Sequence, residues 1–63
     1  MYLNNLKKLR LDNELKQEDL ARILNCKRAT YSAWERKRSM IPLPIADKLA
    51  LYYHVSLAYI LGL

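Results

Sequence analysis

Glycine occurs once in this 63-residue chain, at Gly62, and proline twice, at Pro42 and Pro44. So few of the residues that interrupt regular structure argue against a loop-rich chain and fit helices with short connections. No alternating β-branched run is present, so strands have no signal, and there is no repeat or low-complexity segment. One cysteine, Cys26, excludes an internal disulfide, and no Cys/His cluster stands at metal-ligand spacing. Neither a metal nor another cofactor is therefore expected. No stretch approaches the ~20 apolar residues of a membrane span, and MYLNNLKKLR lacks the roughly 7–15-residue apolar run of a signal peptide. With an unpaired thiol, these absences point to a reducing, cytoplasmic setting. The lone histidine, His54, has no Asp, Ser or Cys partner in view, so a surface or capping role is expected and no enzyme activity.

Apolar residues make up 52% of the chain, enough for one compact core and too many for disorder. Residues 1–63 are expected to form one domain. A chain of this size buries only about 60% of its unfolded surface, so its stability should be marginal. The charge is lopsided. Ten Lys/Arg and five Asp/Glu fall in residues 1–38, whereas residues 39–63 hold only Lys48 and Asp47. With a pI near 9.6, this predicts a basic face rather than an evenly solvated surface.

Periodicity predicts five helices and an all-α fold. The first covers about Leu3–Asn13, with Leu3, Leu6 and Leu9 (and Leu15 just beyond) as an apolar stripe and Lys7, Lys8 and Asp12 outward. The second covers Gln17–Leu24, with Leu20, Ala21, Ile23 and Leu24 to one side and the acids Glu18 and Asp19 in its first turn. Asn25 then suits the left-handed conformation that ends helices. The third runs from about Arg28 to Arg36. Tyr31 and Trp34 point inward with Cys26, leaving Arg28, Ala29, Ser32 and Ala33 outward. Pro42 and Pro44 disfavour helical geometry at Ile41 and Leu43. Pro44 therefore opens the fourth helix, about Pro44–Tyr53, with Ala46, Leu49, Ala50 and Tyr53 facing the core. Ser56 caps a short fifth helix carrying Leu57, Ile60 and Leu61.

Within this pattern residues 17–36, QEDLARILNCKRATYSAWER, read as helix, tight polar turn and helix, an arrangement that places one helix in a DNA major groove. The chain resembles the helix-turn-helix domain of phage repressors, Cro proteins and similar bacterial regulators from about Leu6 to Gly62. LKQEDLARIL, the Trp34–Glu35 pair and HVSLAYILG carry the resemblance most strongly. It implies a compact five-helix fold and a small residue, Ala21, where helices two and three cross. It also implies an ion pair between Arg10 and Glu35, and a phosphate contact by Gln17. Three departures stand out. Asn25 replaces the usual turn glycine. Lys16 and Lys27 replace Ser/Thr caps, at a cost of about 1 kcal/mol each. Lys37 and Arg38 stand where a glycine often follows the third helix, so that loop is expected to differ in path.

Lys27, Arg28, Ala29, Ser32 and Ala33 are expected to contact base edges. Arg28 leads, since a guanidinium bonds bidentately to guanine O6 and N7. Lys16, Gln17, Arg22, Thr30, Arg36, Lys37, Arg38 and Ser39 are expected on phosphates. Cys26 is expected in the core rather than as a redox sensor. Tyr2, Tyr52, Tyr53 and Tyr59 form no stacking platform for single strands. Met40, Ile41, Leu51, Tyr52, Tyr59 and Leu63 look too apolar for the surface of a small domain. The resemblance implies a homodimer through the Met40–Pro44 loop and the C-terminal helix (Leu57, Tyr59, Ile60, Leu63). The function expected is a sequence-specific double-stranded-DNA regulator, most simply a repressor on a roughly palindromic site. The alternatives are a protein-interaction module of the same fold, or the DNA-binding part of a longer regulator, since the chain stops directly after the last expected helix.

Overall fold

The computed structural model describes residues 3–63. Tyr2, grouped above with the other tyrosines, and the first residue of the expected 1–63 domain lie outside them. Among the described residues five helices follow one another: α1 (Leu6–Asp12), α2 (Gln17–Leu24), α3 (Arg28–Glu35), α4 (Leu43–Tyr53) and α5 (Leu57–Ile60). The closest packing is α2 on α3 and α4 on α5, with α1 lying against α3. Leu6, Leu20, Tyr31, Leu49 and Ile60 are the largest fully buried side chains, one from each helix. Ala21 is also buried, where a larger side chain would push α2 away from α3.

Several boundaries and faces differ from the expectation, each for a local reason. α1 begins at Leu6 rather than Leu3, and Leu3 is exposed. Asn4 and Asn5 are drawn into other bonds. The Asn4 side-chain amide donates to the Trp34 carbonyl at 2.8 Å, and Asn5 donates from its side chain to the Tyr59 carbonyl at 2.6 Å. The Asn5 N–H donates to the Ile60 carbonyl at 3.1 Å. Residues 4 and 5 thus strap α1 to the ends of α3 and α5, giving the Trp34 and Tyr59 carbonyls a second donor and partnering the Ile60 carbonyl that the helix terminus leaves open. Leu43 lies inside α4, with Pro44 in its first turn. A first-turn proline lacks only an N–H that has no intrahelical partner anyway, and burial of Ala46, Leu49 and Ala50 outweighs the disfavoured backbone at Leu43. α3 ends at Glu35, with Arg36 as its cap. Ile23 is exposed rather than grouped with Leu20 and Leu24.

Lys16 turns out to open α2 with help. Its ammonium accepts no hydrogen bond, but its backbone N–H donates to the Asp19 carboxylate at 2.8 Å, which supplies half of a capping box. Lys27 has no side-chain cap. Ser56 accepts from the Tyr59 N–H at 3.0 Å, as expected of a cap.

All five helices end in the same way. The closing residue takes a left-handed backbone: Glu14 (φ 56°), Asn25 (55°), Lys37 (62°), His54 (58°) and Gly62 (76°). The next N–H then returns to a carbonyl inside the helix: Leu15 to Arg10, Cys26 to Ala21, Arg38 to Ala33, Val55 to Ala50 and Leu63 to Ala58, all at 2.9–3.0 Å. Lys37 therefore closes α3 with the backbone a glycine favours, despite its side chain. Only Gly62 has more than φ to satisfy, since a Cβ there would stand 3.1 Å from both Asn4 N and Leu3 Cβ.

Two substitutions should consequently move stability in opposite directions. Glu14→Gly removes left-handed strain at an exposed site and should raise urea-unfolding stability by about 0.5–1 kcal/mol. Gly62→Ala should lower it by about 1–2 kcal/mol, because strain and the crowded strap add. Shifts in the same direction would refute this account of the helix ends.

Candidate nucleic-acid interface

α3 has two chemically distinct faces. Tyr31, Trp34 and Glu35 are buried, and the Tyr31 and Trp34 rings meet edge to face with centroids 6.3 Å apart. On the other side Arg28, Ala29 and Thr30 are exposed and Ser32 and Ala33 half-buried; Lys27, just before the helix, is exposed. The outward surface is low at its centre, where the alanines stand, and cationic at its ends, where Arg28 and Arg36 stand.

Glu35 fixes the position of that helix. Its Oε2 accepts from Arg10 Nε at 2.6 Å, and its Oε1 accepts from Arg10 Nη2 and from Gln17 Nε2, both at 3.1 Å. Arg10 Nη1 also donates to the Leu15 carbonyl at 3.0 Å. The Arg10 and Glu35 side chains are only 12% and 3% exposed. One carboxylate thus joins α1, α2 and α3. Burial by itself would raise its pKa, but Arg10, the nearby Tyr31 hydroxyl and the Gln17 amide prevail and hold it below the ordinary carboxylate value. Arg10 is shifted upward by the same hydrogen bond. Burial raises the Tyr31 phenol, and the adjacent Glu35 charge adds to it. Among the described residues the Tyr31 hydroxyl has no hydrogen-bond partner, so the carboxylate acts on it through proximity. Burial pushes the Tyr53 phenol up to about 12.

Beside this junction lies a cleft of about 390 Å³ lined by Arg10, Lys16, Gln17, Glu18 and Arg28. It brings the start of α2 against the start of α3. Lys16 and Arg28 are exposed, while Gln17 is half-buried with its amide on Glu35. Arg22 is exposed and reaches Asp19 only at 3.7 Å. Arg36, Arg38 and Ser39 are exposed after α3, and Lys37 is half-buried. Glu18, in the lining of the same cleft, is a residue whose place there the sequence does not disclose. Helical periodicity places it in a first turn, and the packing of α2 on α3 brings it into one cleft with Arg28.

The expected dimer surface divides. Met40, Leu43, Tyr52 and Tyr59 are exposed, as are Leu51 and Leu63 at 79% and 88%. Ile41 and Ile60 must be removed from that surface, since both are buried in the core. Leu57 is half-buried against the same core. Cys26 packs there too as a free thiol, and exposed His54 closes α4. No described helix is long and apolar enough to cross a membrane.

A tightly packed α2–α3 pair with a basic outer edge defines a helix-turn-helix unit. The Helix-turn-helix family model matches residues 6–60, and the chain belongs to that family. That is a family of helix-turn-helix proteins rather than of enzymes. Along its full length the chain is 36% identical to the uncharacterized HTH-type transcriptional regulator YobD of Bacillus subtilis (strain 168). It spans 56% of that relative's length.

The carboxylate junction has a pH signature. Because the folded pKa of Glu35 is depressed, its contribution is present above the ordinary value of 4.5 and is lost as pH falls through the lower folded value. Glu35→Gln should cost about 3 kcal/mol at pH 7, leaving Arg10 buried without its counter-charge. The gap to wild type should narrow steadily below pH 4.5. An equal gap at neutral and strongly acidic pH, in denaturant titrations, would contradict the assignment.

Proposed function

We propose that the chain is a sequence-specific double-stranded-DNA-binding regulator that lays the first half of α3 in the major groove. The observation carrying this reading is the two-faced α3 beside the cationic cleft. Its buried face is pinned by Glu35, and its outer face combines short side chains with flanking cations. Family membership and the regulator-type relative support it. Ala29 and Ala33 let the helix approach base edges closely, Arg28 takes guanine, and Lys27 and Ser32 complete the base contacts. Lys16, Arg22, Thr30, Arg36, Lys37, Arg38 and Ser39 hold phosphates. Gln17 keeps one amide hydrogen on Glu35 and offers the other, with the N–H groups opening α2, to a phosphate. No pairing or burial ties up Arg28, Arg36 or Arg38 among the described residues.

Occupying an operator and excluding a competitor makes the simplest action repression, in the cytoplasm. Exposed Met40, Leu43, Tyr59 and Leu63 supply apolar surface for a second copy, without Ile41 or Ile60. A homodimer would set two α3 helices about one helical turn apart on a palindromic site.

Duplexes selected from a random pool test this directly. Binding to the selected duplex should fall with salt at a log–log slope of about −5, for about six phosphates neutralised. Arg28→Ala should weaken it by roughly 10- to 100-fold and relax selection at one base position, with melting unchanged. Sedimentation should show dimers on the duplex. Unchanged DNA binding by the Arg28 variant, together with lost binding of a protein partner, would instead favour the interaction-module reading.

A further inference from the structure

A carboxylate stands in the cleft that the DNA-binding reading gives to anions. Glu18 lines it together with Lys16 and Arg28. Arg10, also in the lining, is already neutralised by Glu35. The uncommitted charges at the opening are therefore two cations and this one anion. All three are exposed, and none makes an ion pair among the described residues. An acid in a first helical turn suits the helix dipole. Yet Asp19, one residue on, already closes that turn by accepting the Lys16 N–H. Glu18 repels any phosphate entering the cleft and attracts the Arg28 guanidinium. Phosphates carry the same charge along every duplex, whereas guanine alone offers Arg28 the paired O6 and N7 acceptors.

We propose that Glu18 is a specificity-determining residue: its carboxylate, sharing the cleft with Arg28, holds that guanidinium off the backbone. Arg28 then gains more from guanine than from a phosphate of arbitrary sequence. This rests on the DNA-binding reading above. The test uses the full chain, a duplex selected from a random pool, and a scrambled duplex of equal length and composition. Glu18→Gln should tighten binding to the scrambled duplex roughly threefold, tighten the selected one less, and so lower the ratio between them. Glu18→Asp should keep most of the wild-type ratio. Asp47→Asn on α4 makes the same charge change outside the cleft and should leave the ratio as it was. An equal gain on both duplexes, or none on either, overturns the role of Glu18. A wild-type chain that does not distinguish the duplexes overturns the DNA-binding reading itself, before any variant is compared.

Discussion

The arrangement depends first on one buried ion pair. Glu35 accepts two bonds from Arg10 and one from Gln17, and so fixes three helices at a single carboxylate. A buried charge pair offers little net stability against an apolar substitute, because both ions lose water. Its value here is geometric. Leu20, Leu24, Tyr31 and Trp34 share the core that holds α2 and α3 together, and directional bonds add an orientation that apolar contact alone does not specify. Two bonds from Arg10 tie α3 to α1 and one from Gln17 ties it to α2, at 2.6–3.1 Å, so that one carboxylate holds all three helices beside the cleft lined by Gln17 and Arg28.

The second constraint is how so short a chain closes five helices with one glycine. Every helix closes through a left-handed residue, four of them not glycine. Each such residue carries about 1 kcal/mol of strain, a considerable load for a domain whose whole stability is expected at only about 3–9 kcal/mol. The side chains retained in exchange differ in use. Lys37 adds charge beside α3, and Asn25 tolerates the left-handed region better than most residues. Glu14 has no evident compensation in the structure. Gly62 alone meets a steric demand, where the N-terminal strap crosses the end of α5.

Much of the fold was legible in the sequence because helical periodicity reports which face is buried. Leu6, Leu9, Leu20, Tyr31, Trp34, Ala46 and Leu49 all fall inside as that periodicity requires. The inventory of the candidate interface was legible for the same reason, since Arg28 and Ala29 follow from the inward positions of Tyr31 and Trp34. Long-range placement was not. Nothing in the order of residues shows that Asn4 and Asn5 leave the first helix for carbonyls on α3 and α5. Likewise, neither the Gln17 amide turned toward Glu35 nor Glu18 in the cleft beside Arg28 has a periodic signature. Ile60 was readable as apolar but not as buried rather than available, because α5 is too short for its faces to separate.

The central claim is that the face opposite Tyr31, Trp34 and Glu35 receives duplex DNA while the carboxylate junction stays closed. Titrating isotopically labelled protein with a selected duplex, and following each backbone amide by NMR, tests it most directly. Shifts should concentrate at Lys16–Asp19, Lys27–Ala33 and Arg36–Ser39, with the Arg10 guanidinium signals retained. Shifts confined to the exposed side of α4 and α5, with α3 unmoved, would contradict it.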